Sequence, residues 1–320
     1  MFLGALAVAG YAAWYVATPL DVARSPIEFE IPPGARLRSA ADQMEKAGIR
    51  VRRYEFELLA RALGRERDVK AGSYWIGEPV TPLQLLDKLT RGDVTQAEIR
   101  LIEGWTFAQF RAALDASADL KHETKGLDDT QVLGKVQATE SHPEGLFFPD
   151  TYLCAKGSSD LAVLRRAYLA QQRHLKAEWE ARDANVPYRT PYEALIMASI
   201  VEKETGKPSE RDQIAGVLVT RLRIGMRLQA DPTVIYGLGT SFDGNLKKIH
   251  LLEDGPYNTY TRAGLPPTPI AMPGRASLKA AMRPAKTDAL YYVSRGDGSS
   301  HFSRNLDEHN RAVTKYQLKK

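Results

Sequence analysis

Cysteine is almost absent: Cys154 is the only one in 320 residues. An internal disulfide is therefore excluded. With no CxxC pair and no HExxH helix, zinc and thiol-redox frameworks have no footing, and no metal or cofactor is expected. So few thiols suit an oxidising compartment, though they do not require one. A GxSxG elbow is also missing, so His301 and Glu308–His309–Asn310 do not add up to a serine hydrolase. Those histidines, with His142 and His250, read as structural. Long runs of one charge are lacking too. The net charge is +5, with basic residues scattered along the chain. That balance suits an anionic polymer in general, but no nucleic-acid-binding motif accompanies it, and nucleic acid is not expected as a partner. No fixed-period repeat is visible.

What is present is the composition of a folded protein, 43% hydrophobic and 26% charged, at a length that suits two domains. The N-terminus stands apart. "FLGALAVAGYAAWYVATPL", Phe2 to Leu20, is 19 residues without a charge. That is about the length that crosses a hydrocarbon core, and Trp14 and Tyr15 lie where interfacial aromatics would sit. A cleaved signal peptide would want a basic n-region, which is missing. The expectation is an uncleaved anchor over residues 1–20, with the rest of the chain outside the cytoplasm.

"IEFEIPPGARLRSAADQMEKAGI" reads as a strand through Ile27, Phe29 and Ile31, a Pro-Pro-Gly turn, then a helix from Leu37. "YEFELLARALG" is an amphipathic helix closed by Gly64, and a further helix runs from Thr81–Pro82 to Gly92. A strand up to Ile102, a Gly-Trp turn and a helix capped by Thr106 follow. Residues 115–140 are weakly patterned, and "EGLFFPDTY" (Glu144 to Tyr152) is an aromatic-rich loop. Long helices are expected over 160–182, 190–206 and 210–225, a hairpin around Gly296–Asp297–Gly298, and a last helix over 306–318. The fold class is α+β.

Three stretches could carry chemistry. In "MASIVEKETGKPSERDQ", Met197, Ile200, Val201 and Glu204 fall on one helical stripe, so Glu204 continues an apolar face near a helix end. Desolvation and the C-terminal dipole would both raise the pKa of such an acid and make it a proton donor. Glu202 leans towards Leu195, Ala198 and Ser199. The plainer alternative is that Glu204 only pairs with Lys203, Lys207 or Arg211. In "RLRIGMRLQADPTVIYG", Gly225 stops a helix. Gln229, Asp231 and Thr233 would then line one side of an extended segment, or Asp231–Pro232 would start a helix. In "PYNTYTRAGLPPTPIAMPG", Tyr257, Asn258, Thr259 and Tyr260 interleave rings with amide and hydroxyl groups, the mixture that carbohydrate grooves use. A rigid packed loop would show the same pattern.

Taken in order, "EGLFFPDTY", "ASIVEKETG", "ERDQIAGVLVTRLRIGMRLQADPTVIYG", "YNTYTRAGLPPTPIAMPG" and "SSHFSRNLDEHN" resemble the endolytic murein transglycosylase family (MltG, or YceG-like), over nearly the whole chain from about residue 28. The resemblance implies an N-terminal membrane helix (1–20), a small LysM-like α/β module (28–100) and a mixed α+β catalytic domain (101–320). It places a single-pass protein in the cell inner membrane with its catalytic domain in the periplasm. Its substrate would be peptidoglycan glycan strands and its candidate partners peptidoglycan synthases. It implies internal cleavage between N-acetylmuramic acid and N-acetylglucosamine, leaving 1,6-anhydro ends and terminating glycan growth. Glu204 aligns with the family's catalytic glutamate, with Glu202 in reserve. Gln229, Asp231, Tyr257, Asn258 and Thr259 are implied along the glycan groove. "IPPGARL" only approximates the LysM turn. Two other readings compete: a non-catalytic wall-binding scaffold, and a muramidase pairing Glu204 with Asp231 or Glu202.

Overall fold

The computed structural model describes residues 2–22, 27–32, 34–76, 79–92 and 96–318. The chain divides into two compact units. The smaller is drawn from Met1–Ile99, Ala118–Lys121 and Leu153–Ser159, and the larger from Arg100–Ser117, His122–Tyr152 and Asp160–Lys320.

In the smaller unit, α1 (Phe2–Ala17) precedes β1 (Ile27–Ile31), α2 (Leu37–Ala47), α3 (Arg53–Ala62), β2 (Gly72–Ile76) and α4 (Pro82–Arg91). β1 and β2 pair antiparallel, with Ile27 opposite Ile76 and Phe29 opposite Tyr74. Period-two alternation buries Ile27, Phe29 and Ile31 on one face, and the Phe29 and Tyr74 rings stack at 5.5 Å. Leu37, Ala40, Ala41 and Met44 recur at helical spacing and face that sheet. Thr81 closes a capping box with Gln84, Pro82 takes the first helical position, and Gly92 ends α4 at φ 72°.

α1 corrects the sequence reading. An anchor over residues 1–20, and with it a single-pass inner-membrane location, is overturned. Among the described residues no helix is long and apolar enough to cross a membrane. α1 spans 16 residues, against the about 20 that a bilayer core requires. The end of the apolar run is taken up by the unit's own packing. Thr18 Oγ1 donates to Trp14 O at 2.7 Å, the Leu20 amide pairs with Val80 O at 2.9 Å, and Tyr15 and Leu20 are buried. Trp14 and Tyr15 both meet Arg52. Its guanidinium lies 5.4 Å from the Trp14 ring, and its carbonyl accepts from Tyr15 OH at 3.4 Å.

β3 (Gln96–Arg100) pairs with β5 (Thr151–Ala155). Between them lie α5 (Phe107–Asp115), β4 (Leu120–Lys121) and α6 (Asp129–Val136), so the weakly patterned 115–140 region holds a helix as well as a short strand. β4 pairs in parallel with β6 (Ser158–Ser159). The larger unit continues with α7 (Asp160–Glu180), α8 (Pro191–Glu204), α9 (Arg211–Arg223), α10 (Asp231–Leu238), α11 (Lys248–Leu252), α12 (Arg275–Met282), the antiparallel hairpin β7 (Tyr291–Ser294) and β8 (Ser300–Ser303), and α13 (Leu306–Val313).

α8 is the central helix, packed by α7, α9, α10 and α12. Every residue from Ala194 to Val201 is buried. The single stripe expected from the sequence is therefore a helix buried all round at its centre, and it meets solvent only at its two ends. "EGLFFPDTY" is core rather than open loop at its centre: Leu146 and Phe147 are fully buried, and Phe147 stacks on Phe107 at 4.9 Å. Close packing is clearest at Gly216 of α9, where an added Cβ would stand 2.4 Å from Ala285 O.

Candidate active site

The last turn of α8 carries both acids. They are two residues apart, so on a helix they point roughly 200° away from each other. The structure gives them different surroundings. Glu202 turns towards the start of α12. Its Oε2 accepts the Gly274 amide at 2.9 Å and its Oε1 lies 3.9 Å from Arg211. Its side chain is only 8% exposed, and Gly274 occupies the N-cap position of α12. Glu202 thus supplies the carboxylate that this helix start lacks from its own N-cap.

Glu204 meets a different set of groups. Tyr292 OH on β7 donates to its Oε2 at 2.9 Å. Burial pushes its carboxyl up to about 7; the Tyr292 hydrogen bond pulls down, the charge of Asp231 pushes up and that of Arg221 pulls down. Neutral and ionised forms are then both populated near neutral pH, as proton donation followed by recapture requires.

Arg221 anchors this arrangement from α9. It is only 6% exposed, and burial lowers its pKa. Nε donates to Leu290 O at 2.6 Å and Nη1 to Leu228 O at 2.7 Å, while the guanidinium lies 5.0 Å from the Tyr291 ring. One side chain thereby fixes the lead-in to β7, which presents Tyr292, and the segment before α10, which presents Asp231.

For that second segment the sequence left an extended strand and a helix start open, and the helix start is what forms. Gln229, Asp231 and Thr233 do not line one side of an extended strand. Asp231 opens α10, with Pro232 in the first turn. Proline's fixed φ and missing amide suit a helix start, and Thr233 Oγ1 folds back onto Ala230 O at 2.7 Å. Gln229 is exposed and adopts φ +49°, a left-handed conformation uncommon for a side-chain-bearing residue. Its amide pairs with Thr259 O at 3.1 Å. Asp231 is exposed and accepts a short hydrogen bond from Tyr260 OH.

The other expected groove residues are braces. Asn258 is buried. Its Nδ2 donates to the carbonyls of His250, Leu251 and Glu253, and its Oδ1 accepts the Tyr260 amide. Thr259 Oγ1 accepts the Ala230 amide at 3.0 Å and lies 2.9 Å from Thr233 Oγ1. Tyr257 OH meets Thr268 Oγ1 at 2.8 Å, and its ring stands edge-on to Tyr236. These residues shape the loop that places Tyr260 and the start of α10. The structure therefore gathers Glu204, Asp231, Tyr260, Tyr292 and Arg221, with Gln229 adjacent in the chain, and sets Glu202 apart.

Sequence reading missed Tyr292 and Arg221. No linear signal could join a tyrosine to a glutamate 88 positions away. It also missed Glu144, a buried carboxyl that accepts the Phe107 amide and Tyr236 OH, each at 3.0 Å, and that burial pushes up to about 7. A metal-ligating type of cluster does occur among the described residues, at Asp115, His122 and Asp160. The Asp160 carboxylate already accepts from the Glu123, Thr124 and Leu161 amides and from Thr124 Oγ1. Its lone pairs are committed to holding that turn.

A YceG-like family model matches residues 29–315. The chain belongs to the YceG-like family. This YceG-like chain is 31% identical to an endolytic murein transglycosylase of Bacillus subtilis over 314 residues, covering 92% of this chain and 85% of that one. It is 27% identical to an endolytic murein transglycosylase of Streptococcus pneumoniae, covering 99% of this chain but 64% of that longer relative. A crystal structure of a yceG-like protein from Listeria monocytogenes aligns with a TM-score of 0.57 at 29% identity, over 90% of this chain and 98% of the other.

Proposed function

We propose that this chain is an endolytic lytic transglycosylase of peptidoglycan. It would cut glycan strands internally between N-acetylmuramic acid and N-acetylglucosamine, leave 1,6-anhydro ends and so end strand growth. Its relatives named as endolytic murein transglycosylases support the activity. The observation that carries the mechanism is the Glu204 carboxyl, at the end of a buried helix, near-neutral in its titration and held by one neutral donor.

One acid suffices because the nucleophile is in the substrate. Protonated Glu204 donates to the glycosidic oxygen, and the bond to the muramoyl C1 breaks with its electron pair leaving on that oxygen. The muramoyl C6 hydroxyl attacks C1, and the Glu204 carboxylate takes its proton. Glu204 ends as it began, and no water is consumed. The attacking hydroxyl is already tethered to the reacting sugar, which supplies the proximity. Asp231, oriented by Tyr260, adds a negative charge suited to the cation-like transition state. Gln229 and Tyr257 would border the glycan, with Asn258 and Thr259 holding their loop.

Residues 101–320 are proposed as the catalytic domain. Residues 28–100 are proposed as a LysM-like, glycan-contacting module, a reading supported by the β1–α2–α3–β2 order. Peptidoglycan synthases are the proposed partners. A second reading, hydrolysis by Glu204 with Asp231 as the other carboxylate, draws on the influence of Asp231 on Glu204.

Mass spectrometry of muropeptides decides between them, after incubating peptidoglycan with the full chain, unaltered or as Glu204→Gln. The expected products are lighter than hydrolytic ones by one water and are made only by the unaltered chain. Reducing ends would establish the muramidase. Equal activity in Glu204→Gln would move the acid to Glu202.

A further inference from the structure

Tyr292 is the only hydrogen-bond partner of the Glu204 side chain among the described residues. Its hydroxyl donates to Oε2, and Oε1 accepts nothing. The tyrosine is itself held. It pairs with Phe302 across the β7–β8 register, and Arg221 fixes the strand's lead-in through Leu290 O. Burial first, then the neighbouring Glu204, pushes the pKa of its phenol well above the ordinary range. The phenol therefore keeps its proton at every pH at which the protein works, and it remains a donor whether Glu204 is charged or neutral.

A carboxyl oxygen that accepts a strong hydrogen bond is a poor place for the acid proton. Building on the transglycosylase reading, we propose that Tyr292 is a positioning residue that assigns the catalytic proton of Glu204 to Oε1 and holds Oε2 of the carboxylate once that proton has gone. The proton on Oε1 passes to the glycosidic oxygen as the C1–O bond breaks. Oε1 then recovers a proton from the C6 hydroxyl as the C6 oxygen bonds to C1. The phenolic proton never leaves Tyr292.

The other groups facing Glu204 act by charge rather than contact: Asp231 of α10 raises its affinity for the proton and Arg221 of α9 lowers it. Tyr260, in the loop after α11, is neutral, and its hydroxyl is committed to Asp231. Lys203, on α8 itself, is turned to the Gly104 carbonyl. Removing the phenol therefore leaves the carboxylate without a hydrogen bond.

The test is carbon NMR of carboxyl-labelled glutamate in the full chain, with the Glu204 signal assigned by its loss in Glu204→Gln. The midpoint near 7 should rise by about one to two pH units in Tyr292→Phe, the worth of a hydrogen bond to a charged group. A ring-fluorinated tyrosine at 292 keeps the shape, donates more strongly and should lower it. The alkaline limb of anhydro-muropeptide formation should move with the NMR midpoint in both variants. Tyr292→Phe should also lose roughly ten- to hundredfold in turnover with little change in KM. A midpoint that stays put in both variants overturns the proposal, as does a turnover loss with an unmoved limb. If the midpoints shift as stated but the unaltered chain makes no anhydro product, the titration assignment stands and the transglycosylase reading falls.

Discussion

The two units are held together by different means. Among the described residues, the smaller unit buries apolar and aromatic side chains and none that is charged. The larger buries Glu144, Asp160, Glu178 and Arg221, together with amides and hydroxyls such as Asn258 and Thr259. Burying such groups costs free energy unless each finds partners. The charged ones do: Glu178 takes Arg275 and Arg283, Arg221 takes two carbonyls, and Glu144 takes an amide and a phenol. An apolar core is enough to hold a shape. A polar interior is tolerated where groups must be oriented or tuned, and in the larger unit it surrounds the elements that deliver Glu204, Asp231 and Tyr292.

That contrast can be broken from either side. The largest effect is expected from Phe56→Ala in the smaller unit, where a fully buried ring is removed. Denaturant unfolding should show a loss of about 3–5 kcal/mol, the same at pH 5 and pH 8. A strongly pH-dependent loss would mean that the apolar core is coupled to titrating groups.

Glu144→Gln should do the reverse. The folded-state pKa of about 7 lies above the ordinary value, so the unfolded chain gives up this proton first as pH rises. The folded state is then penalised progressively from about pH 4.5 up to about pH 7. Relative to the unaltered chain, Glu144→Gln should gain on the order of 2–3 kcal/mol between pH 4.5 and 8. A constant difference across that range would remove Glu144 from the titrating groups.

Glu202→Ala should cost about 1–2 kcal/mol, since the Gly274 amide loses its acceptor, and product chemistry should be unchanged. Loss of all anhydro product in a folded Glu202→Ala would erase the distinction drawn between the two acids. The smallest effect, about 1 kcal/mol, is expected for Thr81→Ala at the α4 cap. Melting should report it with no change in the pH profile of activity.

Local chemistry made much of the fold legible. Thr81, Thr106 and Thr190 all accept the amide of the residue three positions on, and so cap α4, α5 and α8. Gly64, Gly92 and Gly225 take positive φ where helices end. The hairpin around Gly296–Asp297–Gly298 joins β7 to β8. Legibility failed where a local pattern serves two outcomes. An uncharged run suits a bilayer or a helix whose end packs on its own unit, and the end of this run packs through Tyr15 and Leu20. Alternating polar residues suit a strand or a capped turn, and Asp231 starts a helix. Aromatics in a Gly-Pro context suit an open loop or a core, and Phe147 is core.

The pattern of residues by itself determined the starts of the capped helices α4, α5 and α8, the hairpin, the family to which the chain belongs and the short interval containing both acids. Only the tertiary structure decided which acid faces what. Glu202 and Glu204 carry the same side chain on the same helix turn, and their difference lies entirely in neighbours brought from afar: Gly274 and Arg211 for one, Tyr292, Asp231 and Arg221 for the other. Desolvation and hydrogen bonding set a carboxyl's affinity for its proton. Both depend on the atoms around it in space, which sequence spacing does not specify.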